Sequence, residues 1–125
     1  MKIVADNTVP YLKGKEGIDN YMSGLKRQIE YLRKLAPDAC FLFIGPSDMS
    51  TSIDGEMQTY PILPRLVEAM KAMAEECGIA YWDLYAAMGG RGSMMKWVDA
   101  YLAGPDYVHF TPKGARHVGN ILYET

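Results

Sequence analysis

Asp106 and His109, three residues apart, are the pair in this chain best suited to acid–base chemistry. An imidazole that takes a proton from a hydroxyl needs its far nitrogen held by an acceptor, which sets the tautomer and stabilises the imidazolium. Asp106 supplies that acceptor if the intervening turn folds back on itself. The stretch Gly104-Pro105-Asp106-Tyr107-Val108-His109-Phe110-Thr111-Pro112-Lys113-Gly114 has the composition of such a turn. Thr111 is a good N-cap and Pro112 suits the first helical position, so the pair is expected just outside the N-terminus of a helix running from Thr111 to Glu124. Taken bare, Asp-x-x-His also occurs in surface turns that only cap and hydrogen-bond, so its weight depends on what surrounds it.

Other residues capable of chemistry have less support from their neighbours. Ser47 and Ser50 follow an apolar run, but Gly45-Pro46-Ser47-Asp48-Met49 is not a Gly-x-Ser-x-Gly nucleophile elbow. Ser93 and Ser23 have still less to mark them as nucleophiles. His117 lies eight residues after His109 on the expected last helix, which favours a surface or packing role over a metal site shared with Asp106. Gly89-Gly90-Arg91-Gly92 matches neither a dinucleotide fingerprint nor a P-loop and reads as a turn. Cys40 and Cys77 sit in apolar runs without zinc-like spacing and are expected as buried thiols rather than a disulfide.

The elements that must position the pair follow from hydrophobic spacing. Met1 to Val4 is short and apolar, the expected end of a strand. From Ile18, apolar residues at 18, 21, 22, 25, 29, 32 and 35 predict a helix with one buried face, and Lys26, Arg27, Glu30, Arg33 and Lys34 occupy its solvated side. Ala39 to Ile44 is continuously apolar, which predicts a strand buried on both faces, as in a parallel sheet covered by helices. Gly45 to Pro61 is polar and is expected as a long loop, functional or mobile. Ile62 to Cys77 predicts a helix stopped by Gly78, Ile79 to Trp82 a strand, Asp83 to Met88 a helical turn and Ser93 to Leu102 a short helix in which Trp97 packs. Alternating strands and helices predict an α/β layered fold with a parallel sheet, whose crevice lies outside the carboxyl ends of the strands. Asn7, the segment from Gly45, the segment after Trp82 and the Asp106 to His109 turn all emerge near that edge.

Composition sets the outer bounds. A chain of 125 residues with 49% hydrophobic content is expected to be one soluble domain spanning 1–125, with a real core. A formal net charge of −2 and no stripe of basic and aromatic residues disfavour nucleic acid as a partner. No apolar run reaches the roughly 20 residues of a membrane span, and no signal-peptide core follows Met1.

Asp106-x-x-His109-Phe110-Thr111-Pro112-Lys113-Gly114 resembles the last motif of the SGNH hydrolases, also called GDSL esterases and lipases. Phe41 to Met49 is similar to the strand and loop before the second half of that fold, so the resemblance covers nearly the whole chain. It implies a three-layer α/β/α, flavodoxin-like SGNH hydrolase fold, incomplete at its N-terminus. It also implies a Ser-His-Asp triad in which Asp106 orients His109 and His109 is the general base. Asn7 falls where the family's oxyanion-donating Asn is expected, although Ala5-Asp6-Asn7-Thr8 keeps only the Asn of Gly-x-Asn-Asp. The Gly-Asp-Ser nucleophile motif is not in this sequence, nor is the segment with the second oxyanion donor, so the serine is expected from elsewhere. The implied reaction is hydrolysis of a small ester or an acylated carbohydrate through an acyl-serine intermediate, with no cofactor and no metal. Three readings stand: a fragment of an esterase, a carbohydrate-binding or assembly module that has lost the chemistry, and a self-sufficient hydrolase using Ser47 or Ser50. The strand ending near Val4 is expected to present an edge covered by a homo-oligomer or by segment exchange.

Overall fold

In the computed structural model, the described residues are 2–4 and 14–125. Asn7, expected as the oxyanion donor, lies outside them.

Parallel pairing builds the centre of the molecule. Strand β2 (Leu42–Ile44) lies between β1 (Lys2–Val4) and β5 (Ala80–Trp82), in the order β1-β2-β5. Its register pairs Phe43 with Ile3 on one side and Tyr81 on the other. Successive residues of a strand face opposite sides. Phe43, fully buried, joins one core with helices α1 (Gly14–Leu35) and α2 (Leu63–Glu76). Ile44 and Trp82 join a second core with α3 (Leu84–Met88), α4 (Ser93–Asp99) and α5 (Pro112–Glu124). The expected α/β arrangement with a parallel sheet between helical layers is therefore present, and the strand predicted from Ala39 is buried on both faces where it pairs.

Helix α1 buries Ile18, Met22, Leu25 and Ile29, spaced by three and four residues as one face of a helix requires. Helix α2 buries Leu63, Leu66, Val67, Met70, Met73 and Ala74 against them and stops at Gly78, whose φ of 68° suits glycine. Lys26 of α1 meets Glu76 of α2 at 2.7 Å on the surface.

Two expectations are corrected. Gly45 to Pro61 is not one long loop: it contains the antiparallel hairpin β3 (Ser50–Ile53) and β4 (Glu56–Thr59). Asp54 and Gly55 turn it with φ of 52° and 84°, the left-handed pair that a tight two-residue hairpin requires. Its strands carry polar residues on both faces, so no alternation of apolar residues announced them. Cys40 is exposed, because pairing of β2 begins at Leu42 and leaves Cys40 outside the ladder, while Cys77 is half-buried and donates its thiol towards the Met73 sulfur at 3.8 Å.

The last helix starts as its sequence predicts. Thr111 caps it by accepting from the Gly114 N–H at 3.1 Å, and the same hydroxyl donates to the Tyr101 carbonyl at 2.7 Å. Gly114 is the buried residue of α5, and a Cβ there would land on the carbonyl of Leu102. That carbonyl also accepts the Thr111 N–H at 3.0 Å, so it cannot move aside without loosening the cap. Among the described residues no helix is long and apolar enough to cross a membrane. Replacing Gly114→Ala is expected to cost about 1–3 kcal/mol, read as a lower urea midpoint with an unchanged slope.

Candidate active site at the turn before helix α5

The Asp106 to His109 turn is closed locally from both ends. Ala103 and Phe110 form an antiparallel bridge, the Gly104 N–H donates to the His109 carbonyl at 2.8 Å, and the Tyr107 N–H donates to the Gly104 carbonyl at 3.1 Å. Tyr107 adopts a φ of 59°, a left-handed conformation that lets the chain reverse. Inside this loop Asp106 Oδ1 accepts the N–H groups of Val108 and His109, each at 3.0 Å. Its Oδ2 meets His109 Nδ1 at 2.7 Å.

Those contacts assign roles. An ionised carboxylate only accepts, so Nδ1 carries the proton, and Nε2 is left as the basic nitrogen. The hydrogen bond from the His109 ring, then the two backbone N–H groups, pull the Asp106 carboxyl down to about 2. Both side chains stay accessible, His109 at 67% and Asp106 at 51% exposure, so the ring is open to solvent.

Three contacts fix the turn to the body. The Tyr107 carbonyl accepts the Ser50 N–H at 3.1 Å, Val108 packs on the core of α1 and α2, and Phe110 packs on Trp97 with ring centroids 5.4 Å apart. Ser50 pairs across the hairpin with Thr59, which belongs to a buried polar cluster around Asp48. Asp48 Oδ1 accepts from the Thr59 hydroxyl at 2.8 Å, and Oδ2 accepts the Met94 N–H at 2.8 Å and the Ser93 hydroxyl at 3.5 Å. The Thr59 hydroxyl also accepts the Gly92 N–H at 2.8 Å, and the Asp48 N–H donates to the Met88 sulfur at 3.4 Å. Burial raises the Asp48 pKa, against the pull of its hydrogen bonds. Sequence reading missed Asp48. Its signal was a single acid just past a fully buried strand, with hydroxyl residues at 47, 50, 59 and 93 to answer it.

The structure thus brings Asp106 and His109 together. Ser47 and Ser50 are buried, and among the described residues no serine hydroxyl is hydrogen-bonded to His109. Ser50 Oγ is buried without a partner, Ser93 serves Asp48, and Ser23 lies on the exposed side of α1. His117 stands against Trp97 with ring centroids 5.3 Å apart, a packing role. A cavity of about 470 Å³ around Arg33, Pro37, Cys40 and Gly78 lies before β2 and β5, at the sheet edge opposite the turn.

No family model matches the chain, and no curated protein matches it in sequence. A solved structure of a peptidoglycan O-acetylesterase superposes with a TM-score of 0.81 at 22% identity, over 98% of this chain and 36% of that one. The likeness is one of fold: a parallel sheet between helical layers, matching about a third of that longer chain.

Two outcomes are expected at this site. Because the Asp106 carboxyl is depressed in the folded turn, its contribution is complete above its ordinary value near 4 and is lost as pH falls through about 2. Exposure screens the effect, so the readout is local: exchange protection of the Val108 and His109 amides should fall over that window. Separately, Asp48→Ala strands the Met94 N–H and the Thr59 hydroxyl and should lower unfolding free energy by about 1–3 kcal/mol or more in urea titration.

Proposed function

We propose that this chain is part of an SGNH-type ester-hydrolase domain in which His109, oriented by Asp106, is the general base for a serine lying outside these 125 residues. The observation that carries the reading is the 2.7 Å contact between His109 Nδ1 and Asp106 Oδ2 within a turn that pins the other carboxylate oxygen with two amides. In this reading Nε2 takes the proton of the serine hydroxyl as its Oγ attacks the ester carbonyl. The oxyanion so formed is stabilised by N–H donors, with the Asn7 side chain proposed as one of them. The imidazolium then gives its proton to the departing alcohol oxygen as the C–O bond breaks. Water, deprotonated by the same Nε2, attacks the acyl carbon, and the imidazolium returns that proton to the serine Oγ as its bond to the acyl group breaks, releasing the acid. Asp106 holds the tautomer and remains ionised throughout.

The likeness to a peptidoglycan O-acetylesterase supports an acyl ester on a carbohydrate, an acetyl group first, as substrate class. The same reading places the serine-bearing segment beside β1, which among the described residues pairs with β2 alone, and that segment comes from the same polypeptide or from an exchanged partner. A second reading, a glycan-binding or assembly module without chemistry, is favoured by one observation: no described serine reaches His109.

Assayed in a polypeptide or complex that joins these residues to a Gly-Asp-Ser segment, the site should hydrolyse p-nitrophenyl acetate. Asp106→Asn should lower kcat/KM by about 10⁴-fold, and His109→Ala at least as much. The 125-residue chain alone should take up no fluorophosphonate at Ser47 or Ser50. Turnover indifferent to His109→Ala sinks the hydrolase reading. Labelling of either serine shows that the chain supplies its own nucleophile, and a folded, inactive complex leaves the binding module standing.

A further inference from the structure

A second cavity opens at the carboxyl edge of the sheet, between the start of α2 and the segment after β5. It measures about 440 Å³, and its walls include Pro64 and Glu68 of α2 and Asp83, Tyr85 and Gly90 beyond β5. That size falls in the range of about 300–1,000 Å³ typical of small-ligand sites. The turn with His109 borders the same edge: Ser50 bonds the turn, and Asp48, two residues earlier, lies close enough to Tyr85 to act electrostatically on its hydroxyl.

The wall chemistry is selective. Asp83 Oδ1 accepts the Ala86 N–H at 2.9 Å, which leaves Oδ2 for a ligand, and Glu68 has no ion-pair partner among the described residues. Carboxylates accept strongly from hydroxyl donors, and the two in the wall outnumber Arg91, the cation that acts on Tyr85, so the cavity disfavours an anionic ligand. Pro64 and the Tyr85 ring add an apolar, π-bearing surface suited to the C–H face of a sugar. Gly89 and Gly90 turn past that ring with φ of 121° and 79° and add no side chain over it. The Gly90 N–H donates to the Tyr85 carbonyl at 2.9 Å and fixes the glycine turn to the segment that carries the ring. Burial raises the Tyr85 pKa, so its hydroxyl stays protonated as a donor.

The geometry points to this cavity as a subsite for a neutral pyranose unit of a glycan, laid against Tyr85 and hydrogen-bonded through its hydroxyls to Glu68 and Asp83. The assignment rests on the proposed ester-hydrolase reading only for its purpose, which is to hold the chain of an acylated glycan while His109 works on an ester beside it. Binding itself depends on the cavity alone.

The test is an amide-resolved NMR titration of the folded 125-residue chain with chitotetraose, and with tetragalacturonate as the anionic counterpart. Chitotetraose should give saturable shifts at Glu68, Tyr85, Ala86 and Gly90, and tetragalacturonate none there. Tyr85→Ala should raise the Kd about tenfold, Tyr85→Phe should hold it within about threefold, and Glu68→Gln, on an exposed helix position, should weaken chitotetraose several-fold while admitting the anion. No saturable shifts, shifts confined to other residues, or equal affinity after Tyr85→Ala overturns the subsite. No turnover is read, so failure of the hydrolase reading leaves a positive titration intact. A hydrolase dependent on His109 whose cavity residues do not shift overturns the subsite alone.

Discussion

A carboxylate sealed away from water governs the carboxyl edge of this molecule. Asp48 is fully buried, and a charge in that position is tolerated only if its oxygens are answered by donors. The donors come from two separated stretches: Thr59 from the hairpin, and Ser93 and the Met94 amide from the start of α4. One side chain therefore fixes where the hairpin lies relative to the sheet and where α4 begins. Thr59, which answers Asp48, also pairs with Ser50 across the hairpin, and the Ser50 N–H donates to the Tyr107 carbonyl of the turn that carries His109.

The regular frame was legible because its signals are local and redundant. The three-and-four spacing of Ile18, Met22, Leu25 and Ile29 could only be one face of a helix, and the apolar run to Ile44 had to be covered on both sides. Thr111 and Pro112 marked the start of α5 to the residue. The hairpin was hidden since β3 and β4 lie outside the main sheet and carry hydroxyl, acid and amide residues where apolar ones would alternate; Asp54-Gly55 was its one clear mark. Cys40 shows the limit in the other direction. An apolar run says what can be buried, whereas the register with the neighbouring strand decides where burial starts.

The site was half legible for a similar reason. Asp106 and His109 are close in sequence, so their bond follows from a turn whose residues announce it. The Asp48 cluster joins residues 11 to 46 positions apart, and no spacing rule links Asp48 to Thr59 or Met94 before the fold is known. Of the motif around His109, Thr111 and Gly114 turn out to serve architecture: one caps α5 and the other lets it approach the Leu102 carbonyl. The chemistry proposed for the motif is concentrated in two side chains, and the remaining residues explain why those two hold still.

The bridge between Ala103 and Phe110 closes its loop with contacts of short sequence separation, unlike those of the sheet. Contacts within it span few residues, so the entropy lost on closing them is small and they can form early, before the parallel strands find one another. The sheet needs pairings across long crossovers, and the Asp48 cluster waits on it. The Asp106–His109 contact is thus closed over a short stretch of chain, while its position on the molecule depends on the long-range pairings of Tyr107, Val108 and Phe110.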